Sequence, residues 1–154
     1  MIGDVTQRST GTAPQSPEEV MAAIWATVNA HDLEGFMALH EPDAIVVPPG
    51  GVQARGAVEM RAVLEPLFRG KPSTEIDLHG MLVGEGIAMS HSHFTISLTR
   101  PDGERITKAG MGTVVTRRQP DGTWRIVFDY PIRSSEPPPA APQPTATPHD
   151  QETS

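Results

Sequence analysis

The chain has 154 residues, a formal net charge of -7 and no cysteine. That length suits one domain, the acidity argues against a nucleic-acid surface, and the lack of cysteine excludes disulfides and thiolate metal sites. No apolar run approaches the ~20 residues of a membrane helix. Met1 to Gln15 lacks a charged-then-apolar leader pattern, so a cytoplasmic, soluble protein with no membrane or nucleic-acid partner is expected.

In chain order, Met1 to Gln15 is small and polar and reads as an unstructured lead-in. Ser16-Pro17-Glu18-Glu19 is a capping box with proline at the first helical position. Val20, Met21, Ile24, Trp25 and Val28 follow as one wide apolar stripe, which predicts a first helix from Pro17 to about Ala30. Asp32 is a good cap for a second helix, in which Phe36, Leu39 and His40 share a face and which Pro42 stops. Ala44 to Val47 is apolar and mostly β-branched, so it reads as a buried strand ended by Pro48-Pro49-Gly50-Gly51. Gly56 to Arg69 reads as a third helix with Met60, Val63, Leu64 and Leu67 inward, and Gly70 as its C′ residue.

After Pro72 the period changes from 3.6 to 2. Thr74–Val83, Ile87–Thr99, Glu104–Arg118 and Thr123–Ile132 read as strands joined by three Gly-containing turns. Helices followed by such a meander predict an α+β domain. Gly110 and Gly112, inside a strand, suggest a bulge or sharp bend. Ser134 to Ser154 holds six prolines and has almost nothing to bury, so it reads as an extended tail. The division is therefore residues 1–15, a domain over 16–133, and a tail over 134–154.

The run N-A-H-D-L-E-G-F-M-A-L-H-E-P-D-A (Asn29 to Ala44), then a short strand, PPGG and R-G-A-V-E-M-R, resembles the nuclear transport factor 2-like superfamily. Within it, the chain resembles the SnoaL-like and ketosteroid-isomerase-like small proteins, in order from about Ser16 to Pro131. The resemblance implies a cone-shaped roll, the cystatin-like or nuclear transport factor 2-like fold. N-terminal helices pack on a strongly curved antiparallel sheet, with a pocket between them. The superfamily holds isomerases, cyclases, hydrolases and plain binding or assembly domains, so fold does not decide function. In the isomerases the base is an acid at the end of the first strand, and the oxyanion is held by a tyrosine on helix one and an acid on the meander. Here Pro48 and Ile24 stand at the first two places, and Ala109 to Thr116 contains no acid. The usual isomerase machinery is not carried over.

Other polar groups remain. His91 and His93 share one face of a strand with Ile87, Met89 and Thr95. Alignment with the isomerases puts that face, and Val127 and Asp129 of the last strand, toward the pocket. Trp124, Ile126, Phe128 and Tyr130 would then lie outside. A pair of Asp129 with His91 or His93 would be a candidate proton-transfer group. The alternative places the histidines on a solvated or dimer face. A metal reading would need His79 or Asp129 as third ligand, and the spacing is not diagnostic, so no metal and no cofactor is expected. The expected pocket wall is Trp25, Phe36, Val47, Met60, Leu64, Phe68, Met89, Met111 and Val127. The outer face of the meander is apolar enough to predict a homodimer through the sheet. Two functions stay open: a pocket protein that binds or transforms a small apolar molecule by acid-base isomerisation, cyclisation or hydration, or a non-catalytic binding or dimeric assembly module.

Overall fold

The computed structural model describes residues 12–48 and 52–133. The expected tail, most of the expected lead-in and the tip of the Pro-Pro-Gly-Gly turn lie outside the described residues. The elements in order are α1 (Pro17–Asn29), α2 (Leu33–Ala38), β1 (His40–Val46), β2 (Ala54–Arg55), α3 (Gly56–Arg69), β3 (Ser73–Val83), β4 (Ile87–Thr99), β5 (Arg105–Arg118) and β6 (Trp124–Arg133).

Local chemistry explains the helices. Ser16 Oγ accepts from Glu19 N–H at 3.1 Å, and Asp32 Oδ1 from Gly35 N–H at 2.8 Å, so α1 and α2 begin on satisfied donors. The apolar stripe of α1 buries Val20, Met21, Ile24 and Val28. In α3, Met60, Leu64 and Phe68 recur at four-residue intervals and are buried. The end of α3 differs from expectation: Gly70 has an ordinary negative φ of -74°, and Lys71 takes the left-handed place at φ 49°. Glycine is needed at 70 for space, because a Cβ there would lie 2.8 Å from the Thr99 carbonyl oxygen. At this close approach Thr99 N–H donates to Gly70 O at 2.7 Å.

The six strands form one sheet in the order β2-β1-β6-β5-β4-β3. All neighbours are antiparallel except β1 and β6, which run parallel. β1 starts earlier than the sequence suggests. His40, expected on a helix face, opens the strand opposite Ile126. Proline has no N–H to donate, and Pro42 falls where the β1–β6 register is broken, between His40 and Ile45, so the strand tolerates it. Of the bulge or sharp bend expected at Gly110 and Gly112, no bulge forms, since β4 and β5 pair without interruption through both. The bulge lies on β6. Thr116 pairs with Ile126 and Val115 with Phe128, which leaves Val127 as the extra residue. Val127 is buried at that point.

Helices pack on one face of the sheet, with Val20, Met60, Ile126 and Ala44 in the core between the layers. Asn29, near the end of α1, donates to Thr74 O at 3.0 Å and accepts from Thr74 N–H at 2.9 Å, docking the helix on edge strand β3. The opposite face carries Met89, Met111 and Phe128, exposed by 43%, 43% and 46%. No helix among the described residues is long and apolar enough to cross a membrane.

One ion pair spans β6. The Arg117 guanidinium on β5 donates to both carboxylate oxygens of Glu41 on β1, at 2.8 and 3.0 Å, and Gln119 adds a third bond at 2.9 Å. The Arg117 bond holds the Glu41 carboxyl below its ordinary value of 4.5; partial burial opposes this and Gln119 assists. The folded value is the depressed one, so this stabilisation is present above 4.5 and is lost as pH falls through the folded value. Glu41→Gln should therefore melt below wild type at neutral pH, and the gap should close in acid. Urea titrations at both pH values check this; an unchanged gap in acid would contradict it.

Candidate functional site

A cavity of about 140 Å³ lies between the helices and the inward face of the sheet. That is close to the ~150 Å³ of an apolar protein cavity that binds benzene. Its wall is almost wholly apolar. Met21, Ile24 and Val28 come from α1, Leu64 and Phe68 from α3, and Phe94, Ile96 and Val114 from β4 and β5. The polar exceptions with side chains are Thr74, Ser92 and Asp129. The Thr74 hydroxyl already donates to Thr95 O at 2.8 Å. Ser92 and Asp129 are thus the polar groups left to meet a ligand. Ser92 lies on β4 opposite Gly112, and Asp129 on β6 opposite Val114. About two strand spacings, or ~10 Å, separate their positions across the sheet.

The β6 bulge turns Asp129 inward. Ile126 pairs with inward-facing Thr116 and is fully buried in the core. With strict alternation Phe128 would follow it inward. The extra residue shifts the parity, so Phe128 points out and Asp129 faces the cavity. The backbone at Asp129 is held on both sides: its carbonyl accepts from Val47 N–H at 3.0 Å, and Val114 is its partner on β5.

Behind Asp129 lies His40. Its Nε2 is 3.8 Å from Asp129 Oδ2, with side-chain exposures of 1% for the imidazole and 13% for the carboxylate. Nδ1 sits 2.9 Å from the Phe36 carbonyl oxygen, and a carbonyl only accepts, so Nδ1 carries a hydrogen. Nε2 is buried and makes no hydrogen bond. The 3.8 Å contact is longer than a hydrogen bond. Among the described residues, no Lys or Arg nitrogen lies within 4.0 Å of Asp129; the His40 imidazole is the basic group that does.

The histidine face expected to line the cone lies on its outside. Ser92, Phe94 and Ile96 line the cavity, so alternation turns His91 and His93 away from it. His91 Nδ1 lies 3.4 Å from Thr113 Oγ1. The His93 ring lies 4.0 Å from that of His79, whose Nε2 is 3.2 Å from Asp77 Oδ2. Asp129 faces inward as expected, but its partner is His40. Of the expected wall, Phe36, Leu64 and Phe68 line the cavity. Met60 is core, and Val127 is buried at the bulge. Val47 sits between the lining residues Val46 and Pro48. Trp25, Met89 and Met111 are exposed. Trp124 and Ile126, expected outside, are core. Residues missing from the expected wall include Ser92, Phe94 and Val114, the faces of β4 and β5 opposite those chosen. Among the described residues no three His, Asp or Glu side chains are grouped to hold a metal ion.

Solved structures of similar fold include a ketosteroid isomerase-like protein from Erwinia carotovora atroseptica. It is 18% identical with TM-score 0.69, over 77% of this chain and 94% of that one. A protein from Streptomyces avermitilis, proposed to be a dehydratase of the nuclear transport factor 2-like family, is 17% identical with TM-score 0.62, over 75% and 93%. A proposed calcium/calmodulin dependent protein kinase II association domain from Xanthomonas campestris is 21% identical with TM-score 0.62, over 77% and 83%. At such identities the likeness is one of fold. No curated protein matches the sequence. The sequence itself matches the SnoaL-like domain over residues 21–127, from the buried face of α1 to the β6 bulge, and the chain belongs to that family.

Proposed function

We propose that the protein is a proton-transfer enzyme for a small, largely apolar molecule about one ring in size, with Asp129 as general base and acid. The observation that supports this is one carboxylate set in an otherwise apolar cavity wall and backed by a buried imidazole. Apolar walls with few convergent polar groups are the common form of a small-molecule site. Asp129 as carboxylate takes a proton from a ligand carbon, the electron pair stays on the ligand, and the protonated acid returns that proton at another carbon. This is an isomerisation. In a cyclisation the ligand carbanion would instead attack the ligand's own carbonyl carbon and the acid would protonate that oxygen; in a hydration Asp129 would take its proton from water as the oxygen adds to one alkene carbon and deliver it to the other. Ser92 is too far along the sheet to hold the same reacting oxygen, so the suited ligand spreads the developing charge through its own conjugation. Ser92 instead anchors the far end of the ligand.

Cyclohex-3-enone is a one-ring probe of this chemistry. Removal of a C2 proton and its return at C4 gives cyclohex-2-enone, whose conjugation is read by ultraviolet absorbance. Wild type should accelerate the conversion, and Asp129→Asn should lose most of that rate, in the ~10²–10⁴-fold range of general acid-base catalysis. A wild-type rate equal to buffer, with the ketone shown by NMR to occupy the cavity, would favour the binding module. Wall size is testable at Gly112, where a Cβ would lie 3.5 Å from Ser92 Oγ and clash with nothing. Gly112→Ala should keep or slightly raise the melting temperature while weakening binding of the ketone. Unchanged binding would place the ligand elsewhere.

A second reading concerns assembly, and the outer sheet face supports it. Strands β3 to β6 have 11, 13, 14 and 10 residues. At ~3.3 Å per residue and ~4.8 Å between strands they offer roughly 760 Å². A stable interface of standard size uses about 800 Å² per partner. A second copy meeting Met89, Met111 and Phe128 would cover them, and we expect a homodimer by light scattering at micromolar concentration. Met111→Asp should make it monomeric; a wild-type monomer would end this reading.

A further inference from the structure

We propose that His40 is a positioning residue for Asp129, holding one proton on Nε2 against the carboxylate while Asp129 exchanges another with the ligand. The inference rests on the proton-transfer reading of Asp129 and adds a residue that does not itself touch the cavity.

The argument starts from the ring orientation. Nδ1 donates to Phe36 O at 2.9 Å, and the ring packs against Phe36 with centroids 5.0 Å apart and planes tilted by 59°. The imidazole is thereby fixed with Nε2 toward Asp129. In a neutral ring with hydrogen on Nδ1, Nε2 carries a lone pair. That lone pair, buried and without a hydrogen bond, faces a carboxylate oxygen at 3.8 Å. Two acceptors facing each other away from water are unfavourable. One added proton removes the conflict, and it has two homes. On Nε2 it makes an imidazolium beside a carboxylate. On Oδ2 it makes a neutral acid that donates to Nε2.

The first of these homes serves both states of the proposed cycle. Before the ligand is deprotonated, the proton sits on Nε2 and compensates the carboxylate. After Asp129 has received the ligand proton on its outer oxygen, the carboxyl is neutral and Nε2–H donates to its inner oxygen. When the proton returns to the ligand, the first state is restored.

The other charges near His40 are engaged elsewhere. On α2, Glu34 pairs with Arg61 of α3 at 2.6 Å. On β1, Glu41 pairs with Arg117 of β5 at 2.8 Å. On β6, Arg125, next to Ile126, acts by its charge on Glu41 and Asp121. Asp129 alone among the described carboxylates comes within 4.0 Å of the ring nitrogens.

Two measurements test this. In wild type, ¹⁵N NMR of the imidazole and ¹³C NMR of the Asp129 carboxyl are followed against pH. The Nδ1 hydrogen should persist throughout, and the His40 Nε2 and Asp129 Cγ curves should share their inflections, as coupled sites do. An Nε2–H tautomer with Nδ1 bare, or independent inflections, would overturn the proposal, and this result needs no variant that must fold. In the second, His40→Asn keeps an amide N–H near the place of Nδ1 and removes Nε2. Isomerisation of cyclohex-3-enone should fall at least ~10-fold with a changed pH profile, while binding of cyclohex-2-enone by NMR stays within about twofold. If His40→Asn keeps both rate and pH profile, His40 is only packed. If wild type shows shared inflections but no isomerisation that Asp129→Asn abolishes, the pairing stands and the proton-transfer function fails.

Discussion

The structure depends on one extra residue in the last strand. β6 is bonded to β1 on one side and β5 on the other, so it joins the N-terminal strands to the meander. Where Val127 is inserted, the alternation restarts. Ile126 on one side of the bulge goes into the core, and Asp129 on the other side goes into the cavity. Without the insertion, Phe128 would face the cavity and Asp129 the outside. A carboxylate in an apolar wall is thus a consequence of backbone count, and β-bulges commonly re-aim a side chain in this way.

The helices and turns were legible in the sequence because their signals are local. The Ser16 capping box, the Asp32 cap and the glycines at 86, 103 and 122, all with positive φ, each act within a few residues. The parallel pairing of β1 with β6 was not legible, since nothing near His40 marks a partner more than eighty positions away. The inward face of β4 was misread for a different reason. Both faces mix polar and apolar residues, with Ile87 and Met89 beside the histidines on one and Phe94 and Ile96 beside the serines on the other. Small size was the usable clue. Ala88, Ser90 and Ser92 are all buried because they fit under α1, where Ser90 Oγ meets Met21 Sδ at 3.1 Å. His40 was hidden by its neighbours. Leu39 and Phe36 continue a helical spacing through it, and the strand begins there only because Ile126 N–H donates to Leu39 O at 2.7 Å.

The choice of histidine behind Asp129 follows from what burial costs. A carboxylate taken from water without a partner is strongly destabilising, and breaking a buried pair leaves that cost uncovered, at ~3–5 kcal/mol. An arginine would satisfy Asp129 permanently, as Arg117 does for Glu41 at the sheet's end. That arrangement suits structure, because the carboxylate then stays charged. Imidazole differs because it can hold or release a proton near neutrality. Glu41 on β1 and Asp129 on the neighbouring β6 thus stand for two uses of the same chemistry: one ties strands together, and in the proposed cycle the other exchanges a proton.

The two faces of the sheet separate the two functions that the fold can support. β4 carries both: Ser92, Phe94 and Ile96 face the cavity, while Met89, His91 and His93 face outward. Side chains on opposite faces of one strand do not touch, so a substitution outside can alter assembly with little effect on cavity chemistry, and the converse holds for Gly112 or Asp129. β6 is the exception. Phe128 and Asp129 are consecutive, and the bulge that points one out holds the other in. Pressure on Phe128 from a second copy of the chain would bear on the same backbone that sets the Asp129 carboxylate against His40. If the sheet face pairs in solution, the dimer therefore acts on the site through this one strand, and the rest of the sheet leaves the two independent.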